Sequence, residues 1–519
     1  MEEPQNLTEL IKRPIDSLSD DEALKHIGLL IDAAGDERSA LGTDRAFALL
    51  DEVRKRGLSP DRVVLTHYFA ANAWDNRARQ QNECRVGAWE QPEIQEQILE
   101  LRRAVHHEGF GQLHVIRQCQ VLTNLANQLD HIGRFIEAVR YFDRALSLQG
   151  NFAMALGNRG IALGAYAQAL YDDGHARLLL TVAHDSLAAA LASGALYDSP
   201  EQKGAQAVFK SRITEILAHV DVAEVKKAIS LDDHSIGRGA KERAYRQWCL
   251  KHRLFINPLN DLGTVQIAAT DVLTLPSLTI KIPSAHVPPV IGFFNQMKQE
   301  FASARYLCYE GLHSDKPHFS DRAVLLYNTL DYPSHSLALE KVRVGFRIAY
   351  SLLDKIAFFL NSYLALGHKP KQVSFKSVWC EPKGSDPLPF LKYFASCQNW
   401  PLRGLFWLSK DIFEDEFQHV TEPDAEDLKN VREHLEHKYL QVHESWADDS
   451  YAAQPDQFGL HLGRDAFSNR TLHLLRLVRA ALIYLSLAVH AEERQRHKTF
   501  GNRRVMRMPL DTWNDQWKQ

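Results

Sequence analysis

Residues 332–360 read YPSHSLALEKVRVGFRIAYSLLDKIAFFL, and their apolar side chains recur at the three-four spacing of one helix face. The face continues to Tyr363 and consists of Leu339, Val342, Phe346, Ala349, Leu353, Ile356, Leu360 and Tyr363. Because the spacing holds over 25 residues, it is typical of a long helix packed in a bundle. Gly367 and Pro370 follow and predict the end of this helix.

A second stretch near the C terminus repeats the pattern. Its apolar residues are Leu475, Val478, Leu482, Leu485 and Val489. They predict a helix from about Ser468 to Glu493. Further helices are predicted at residues 291–312, 389–413 and 428–445. Long helices joined by short to moderate loops predict an antiparallel bundle over residues 291–500.

A polar stripe runs beside the apolar face of the first helix. Glu340, Arg347, Asp354 and Asn361 recur every seven residues, which places them on one side of the helix. Two interpretations stay open: these side chains pair with neighbouring helices, or one of them lines an active cleft.

The stretch LKNVREHLEHKYLQVHES, residues 428–445, predicts a strongly amphipathic helix. Its apolar face consists of Leu428, Val431, Leu435 and Val442. Thr421 is the expected N-cap, and Pro423 and the acidic residues of 422–427 suit the positive end of the helix dipole.

This helix carries an arginine and a histidine five residues apart, Arg432 and His437. On a helix the two side chains point about 140° apart and flank a strip that contains Glu433. A guanidinium can hold a phosphate and an imidazole can move a proton. These are the two tasks in cleaving RNA through its own 2′-hydroxyl.

The spacing of arginine and histidine is not specific by itself. Similar pairs occur at Arg62/His67, Arg102/His107, Arg177/His184, Arg212/His219 and Arg246/His252. With 24 histidines in the chain, random placement predicts about five such pairs. The alternative interpretation of Arg432 and His437 is a solvated, salt-bridged helix face.

Residues 1–200 contain a repeat with a period of 34 residues. The matching pairs are Leu122/Leu156, Asn124/Asn158, Ala126/Gly160 and Leu129/Leu163, and Ala138, Phe142 and Ala145 follow the first set. These residues resemble the tetratricopeptide repeat (TPR) family, with one repeat at 119–152 and a looser one after it. The resemblance implies stacked helical hairpins with a concave surface for a protein or peptide partner. The alternative is a purely structural helical stack.

Residues 201–290 are predicted to join the two halves. The chain stays helical to about residue 253, and residues 255–290 then combine five prolines with β-branched residues. This composition predicts an extended connector with two short strands. The predicted organisation is therefore repeats at 1–200, a helical and Pro-rich connector at 201–290, a bundle at 291–500 and a basic tail at 501–519.

Charge gives no general attraction to nucleic acid, because the net charge is −4. A local basic cluster near the C terminus is the candidate RNA-binding surface, and its members are Arg494, Arg496, Lys498, Arg503, Arg504 and Arg507. A tail that only increases solubility is the alternative.

Cysteine usage and apolar runs predict a cytoplasmic protein. The six cysteines form no CxxC pair or metal-ligand spacing, so no disulfide framework, metal or cofactor is predicted. The N terminus is too acidic and polar for a signal peptide. The longest apolar run, Ala480–Val489, is about half a bilayer span and predicts a buried helix.

The bundle with an Arg-polar-x-x-x-His motif resembles the HEPN superfamily (higher eukaryotes and prokaryotes nucleotide-binding), over about 290–500. Arg432 and His437 match the two fixed positions of the motif. The resemblance implies a metal-independent endoribonuclease that leaves a cyclic phosphate and pairs two motifs across a homodimer. The residue after the arginine, commonly Asn, Asp or His in the family, is Glu433 here. Glu433 is expected to hydrogen-bond and orient His437.

The resemblance also gives the two halves a joint function. A nuclease fused to a repeat scaffold resembles prokaryotic antiviral-defence or toxin effectors, in which the scaffold senses a trigger and releases the RNase. The alternative function is a non-catalytic interaction protein, whose repeats bind a partner while the bundle dimerises or binds a nucleotide.

Overall fold

The chain folds almost entirely into helices. The computed structural model describes residues 6–81, 87–198, 201–279, 288–314, 316–329, 332–382, 389–414, 428–444, 459–500 and 509–518. These residues form 18 α-helices and two short strands. The predicted all-α fold is confirmed.

The first twelve helices pack as successive neighbours, with α2 on α3, α4 on α5, α6 on α7 and α8 on α9. Their bounds are α1 Leu7–Lys12, α2 Asp20–Asp36, α3 Ala40–Arg54, α4 Pro60–Gln80, α5 Pro92–His106, α6 Val115–His131, α7 Phe135–Leu148, α8 Ala153–Ala169, α9 Asp173–Ala190, α10 Ala205–Leu217, α11 Val222–Ala228 and α12 Ala240–Lys251. Leu122 and Leu163, which are members of the repeat pattern, are buried. The matching pairs lie in α6 and α8, the first helices of two consecutive hairpins, but these helices begin at Val115 and Ala153 and are offset by more than the 34-residue period.

Six helices form the C-terminal bundle. They are α13 Pro289–Leu312, α14 Leu337–Tyr363, α15 Lys392–Ala395, α16 Trp400–Phe413, α17 Leu428–His437 and α18 Arg464–Phe500. The Ser336 side chain caps α14 by accepting from the Leu339 amide. Helix α13 packs along α14, and Gly345 permits the close crossing because a Cβ there would lie 2.4 Å from Cys308 Sγ.

Helix α18 is long and apolar enough to cross a membrane by composition. However, 89% of its most apolar window is buried inside the protein. Ala480–Val489 is thus part of a core helix, as its length predicted.

The predicted helix at 428–445 is wrong in its second half. Helix α17 ends at His437, and Tyr439–His443 is strand β1, paired in parallel with strand β2, Gly459–Gly463. Leu440 and Val442 are both buried and fit a strand as well as a helix face, since a short apolar run does not distinguish the two periods. The partner strand decides the conformation. Thr421 and the acidic residues of the expected cap lie outside the described residues.

The other boundary differences are small. The helix predicted at 389–413 begins at Trp400, where Asn399 caps it by accepting from the Leu402 amide at 3.1 Å, and only the short α15 precedes it. Helix α18 extends beyond both predicted ends.

Residues 255–279 are partly buried and contain no strand, so the two strands predicted for 255–290 are not found in this part, while residues 280–287 lie outside the described residues. Two 3-10 turns occur here, at Pro258–Leu262 and Gln266–Ala268. Arg479 of α18 donates to the carbonyls of Phe255 and Asn257 and to Asp261. Because an arginine satisfies these backbone groups, no partner strand is needed.

One hydrophobic core extends from Val64 to Val489 and includes residues of both predicted halves. A smaller core lies among α1 to α4. The turn between α6 and α7 meets the start of α16 without an intervening side chain, since a Cβ on Gly404 would lie 2.2 Å from the Gly133 carbonyl oxygen. The division at 201–290 stays a prediction, but the packing across it is continuous.

Candidate functional site

Helix α17 presents Arg432 toward α14. Leu428, Val431 and Leu435 are buried and fix the orientation of α17, as their spacing predicted. Arg432 on the other side is exposed. Its guanidinium lies 5.5 Å from the centroid of the Tyr350 ring, an arrangement typical of a cation–π contact.

His437 is the last residue of α17 and is also exposed. It makes no hydrogen bond or ion pair with a described residue. Glu433 does not make the expected hydrogen bond with His437, because its carboxylate accepts from Lys438 Nζ at 2.7 Å. That hydrogen bond and the Lys438 charge hold the pKa of Glu433 below its usual range. Among the described residues, the His437 imidazole therefore has no hydrogen-bond partner, and Glu433 does not orient it.

A groove of about 440 Å³ separates α14 from α17. Its lining residues are Phe293, Arg347, Tyr350, Ser351, Asp354, Lys355, Phe358, Val373, Arg432 and Glu436. Arg432 is thus part of the groove and His437 is not. The structure brings the two motif residues to one helix but not to one cavity.

Two of the four residues in the polar stripe of α14 line the groove, and the other two contact neighbouring residues. Arg347 and Asp354 line the groove. Glu340 instead pairs with Arg343, and Asn361 exchanges two hydrogen bonds of 3.0 Å with the His368 backbone at the end of α14.

The charged side chains of the groove differ in whether another described residue pairs with them. Arg347 donates to the Leu435 carbonyl, and its Nε lies 3.7 Å from Glu436. Lys355 pairs with Glu300 at 2.5 Å, and Asp354 accepts from the Phe375 amide at 3.0 Å. Arg432 makes no ion pair with a described residue. It is the cation most available to an anionic ligand.

Tyr350, whose ring lies against Arg432, brings a protonated hydroxyl to the groove. Its side chain is 5% exposed. Burial raises the pKa of Tyr350 to about 12, although Arg432 acts in the opposite direction. The hydroxyl is therefore neutral at physiological pH and can donate a hydrogen bond.

Sequence reasoning missed Tyr350, Lys355 and Phe358. A signal was present, because they follow Arg347 at helical spacing and form a second face of α14 beside the core face. The stronger apolar pattern of the core face in the same stretch obscured this second face.

The predicted basic RNA-binding cluster lies at the far end of the bundle. Arg496 pairs with Glu493 at 2.9 Å, and its guanidinium lies 4.5 Å from the centroid of the Tyr363 ring. Arg494 and Lys498 are exposed, whereas Arg503, Arg504 and Arg507 lie outside the described residues. Tyr363 is about 20 Å from Tyr350 along α14. The described members therefore do not line the groove.

A histidine pair lies in the small sheet after α17. His443 Nε2 is 3.0 Å from His461 Nδ1, and the two rings stack. Within the described part of the chain, no group of three or more His, Cys, Asp or Glu side chains is arranged to hold a metal ion.

Comparisons with known proteins identify the family of the bundle. Residues 283–492 match the model of the LA2681-like HEPN family. No family match covers the N-terminal helices, so their resemblance to TPR stays a prediction. Neither the comparison with curated proteins nor the comparison with solved structures found a match. Over residues 283–492, the chain therefore contains a HEPN-family domain of the LA2681-like type.

Proposed function

We propose that the HEPN domain is a metal-independent endoribonuclease. The observation that carries this proposal is the position of Arg432 and His437, the two residues that resemble the HEPN motif, because both are exposed on one helix of the domain. Neither is committed to an ion pair with another described residue. A purely structural helix face would use such groups in salt bridges, as Glu433 and Lys438 are used.

The reaction needs one proton removed and one supplied. The 2′-oxygen attacks the adjacent phosphorus, its proton goes to a base, and the bond from phosphorus to the 5′-oxygen breaks as that oxygen is protonated. His437 acts in one of these two proton transfers. Arg432 neutralises the negative charge that develops on the non-bridging oxygens of the pentacoordinate phosphorane. The product is a 2′,3′-cyclic phosphate.

A homodimer would supply the second histidine. One copy has a single motif histidine for two proton transfers, and Arg432 points about 140° away from it on α17, so the site of one copy is incomplete. An apolar segment after α13 supports self-association, because Phe319, Leu325 and Tyr327 are 75%, 92% and 93% exposed. Pro333 at the end of this segment lies against His443 of β1, close to the C-terminal end of α17.

The N-terminal helices are proposed as a sensing scaffold that controls the nuclease, in an antiviral-defence or toxin effector. Their direct packing on α16 and α18 supports a mechanical connection. The RNA is the substrate, and a protein or peptide bound to the repeats is the proposed trigger.

The test is incubation of the purified protein with labelled RNA in EDTA, followed by analysis of the RNA ends. Cyclic-phosphate ends from the wild type but not from His437→Ala support the proposal. Intact RNA under all conditions, together with no growth defect in expressing bacteria, favours the non-catalytic interaction protein.

A further inference from the structure

The groove between α14 and α17 has the size of a small-ligand site. Its volume of about 440 Å³ lies in the range of about 300–1,000 Å³ usual for such sites. About three turns of α14, from Arg347 to Phe358, form one wall, and Arg432 and Glu436 of α17 form another. The two ends of the groove differ in chemistry: Arg347, Arg432 and Tyr350 lie at one end, and Phe293 and Phe358 lie at the other.

The arginine end offers three donors to a phosphate. Arg432 is exposed and makes no ion pair with a described residue, and the adjacent Tyr350 hydroxyl makes no hydrogen bond with one. Arg347 is held beside them by the Leu435 carbonyl, and its Nε is buried without a hydrogen bond. These two guanidiniums and one hydroxyl belong to residues that line the same groove, and together they suit the oxygens of one phosphate group.

The aromatic end offers a stacking surface. Phe358 is 41% exposed, although most apolar residues of α14 are buried. Phe293 meets its ring edge to face, with 6.0 Å between centroids. An exposed ring near bound phosphate is the usual platform for an unpaired base.

The charge of the groove favours one phosphate over several. Its lining contains the cations Arg347, Lys355 and Arg432 and the carboxylates Asp354 and Glu436, which leaves a single net positive charge. That charge complements one phosphodiester. A nucleoside triphosphate would bring several negative charges against two carboxylates.

We infer that this groove binds one nucleotide of an RNA chain, with its phosphodiester at Arg432, Arg347 and the Tyr350 hydroxyl and its base against Phe358. The inference rests on the proposed function for the identity of the polymer. It assigns substrate-binding roles to Arg347, Tyr350 and Phe358, which lie on α14 outside the Arg/His motif. A base held there fixes the adjacent phosphate at Arg432.

The experiment measures binding without cleavage. A fluorescent single-stranded RNA with methylated 2′-hydroxyls is titrated with the full chain, and the dissociation constant is read from anisotropy. Phe358→Ala should weaken binding about tenfold, and Phe358→Tyr should restore it, since stacking needs only an aromatic face. Val344→Ala is the matched control, because Val344 is 39% exposed on the same helix but does not line the groove. It should change binding less than about twofold.

The salt dependence of RNA affinity distinguishes the contribution of the phosphate contacts from that of base stacking. Arg347→Ala should reduce the slope of log affinity against log salt by about 0.7, the value for one phosphate contact on a single strand. Phe358→Ala should leave that slope unchanged. Arg347 also donates to the Leu435 carbonyl of α17, so the melting temperature of the Arg347→Ala variant is measured as well. Arg343→Ala, one turn earlier on α14, removes the same charge outside the groove and should leave the slope unchanged.

The outcomes distinguish this inference from the proposed function. If the wild type binds RNA with the expected variant pattern but never cleaves RNA, the nuclease proposal fails and the groove assignment stands. If the wild type cleaves RNA and Phe358→Ala binds as tightly as Val344→Ala, the groove assignment is overturned. Binding of ATP that Phe358→Ala abolishes, with RNA affinity unchanged, also overturns it in favour of a free-nucleotide site.

Discussion

Asp411 of α16 and Arg102 of α5 form a buried, bidentate ion pair with distances of 2.8 and 2.9 Å. Arg134 of α7 donates to the same carboxylate at 2.6 Å, and both arginines are almost completely buried. Arg134 also pairs with Glu137, which accepts from the Tyr484 hydroxyl of α18. This network joins the N-terminal helices to the HEPN domain.

Stability should fall at acidic pH because of Asp411. Burial opposes ionisation, but Arg102 and Arg134 outweigh it and lower the pKa of Asp411 to about 2 from 3.8. A lowered folded-state pKa contributes stability that is present above the unfolded pKa and is lost as pH falls from about 4 toward 2. The contribution is roughly 2–3 kcal/mol. Urea unfolding of the wild type across this range checks it.

Asp411→Asn should lower the free energy of unfolding by about 3–5 kcal/mol at pH 7, because it leaves two arginines buried without a counter-charge. It should also remove much of the acid dependence between pH 4 and 2. Asp515→Asn is the control, since Asp515 pairs with Lys518 at the surface. Equal unfolding curves for the two variants would contradict a structural role for the network.

The HEPN domain should not fold well without the N-terminal helices. The prolines of 255–290 predict a separable boundary, but Arg479 is buried against Asp261, and Tyr484 is buried against Glu137. Removal of residues 1–250 exposes the side chains of α16 and α18 that these helices cover. We expect an aggregating fragment, and limited proteolysis of the full chain should find no cut between 255 and 279. A soluble, cooperatively melting fragment would refute this expectation.

Periodicity predicted the fold where one apolar face is long. Helix α14 carries its pattern over seven turns, and Gly367 and Pro370 follow its last residue, Tyr363, so the helix and its end followed from sequence. The stretch after His437 is different. Leu440 and Val442 satisfy a strand as well as a helix, and the choice depends on Gly459–Gly463, which is distant in sequence. Local propensity cannot contain that information.

The site was predictable only in part for a similar reason. Arg432 and His437 followed from the motif, and Arg347 and Asp354 followed from the polar stripe. The groove itself depends on how α17 packs across α14, so Tyr350 and Phe358 gained their positions from tertiary contacts. The partner of Glu433 was wrongly predicted because helical spacing favoured His437, whereas Lys438 lies just beyond the helix end and reaches the carboxylate.

Self-association should depend on the exposed apolar segment after α13. We expect light scattering to give the mass of a dimer at micromolar concentration. Leu325→Ser combined with Tyr327→Ser should shift it toward a monomer, since both side chains are more than 90% exposed in one copy and their burial would stabilise a dimer. Val208→Ser is the control, because Val208 is exposed on α10. A wild-type monomer at these concentrations would contradict the dimer.

Catalysis should depend on Arg432 and His437 while stability does not. Both side chains are exposed, so replacement by alanine should leave the melting temperature nearly unchanged. His437→Ala should lower the cleavage rate by about 10²–10⁴, the usual contribution of a general acid or base. Arg432→Ala should have a comparable effect, because it removes a charge that stabilises the transition state. Initial rates on labelled RNA in EDTA measure both.

The control for these variants is His219→Ala. His219 belongs to the chance pair with Arg212 and is exposed, so its loss should leave both stability and rate alone. His67 is less suitable, because His67 Nδ1 lies 2.6 Å from Glu100 and its loss would disturb packing. If His437→Ala and His219→Ala cleave RNA at the same rate while both stay folded, His437 has no catalytic role. The exposed imidazole at the end of α17 would then be part of a solvated helix face, and the interaction-protein function would take precedence.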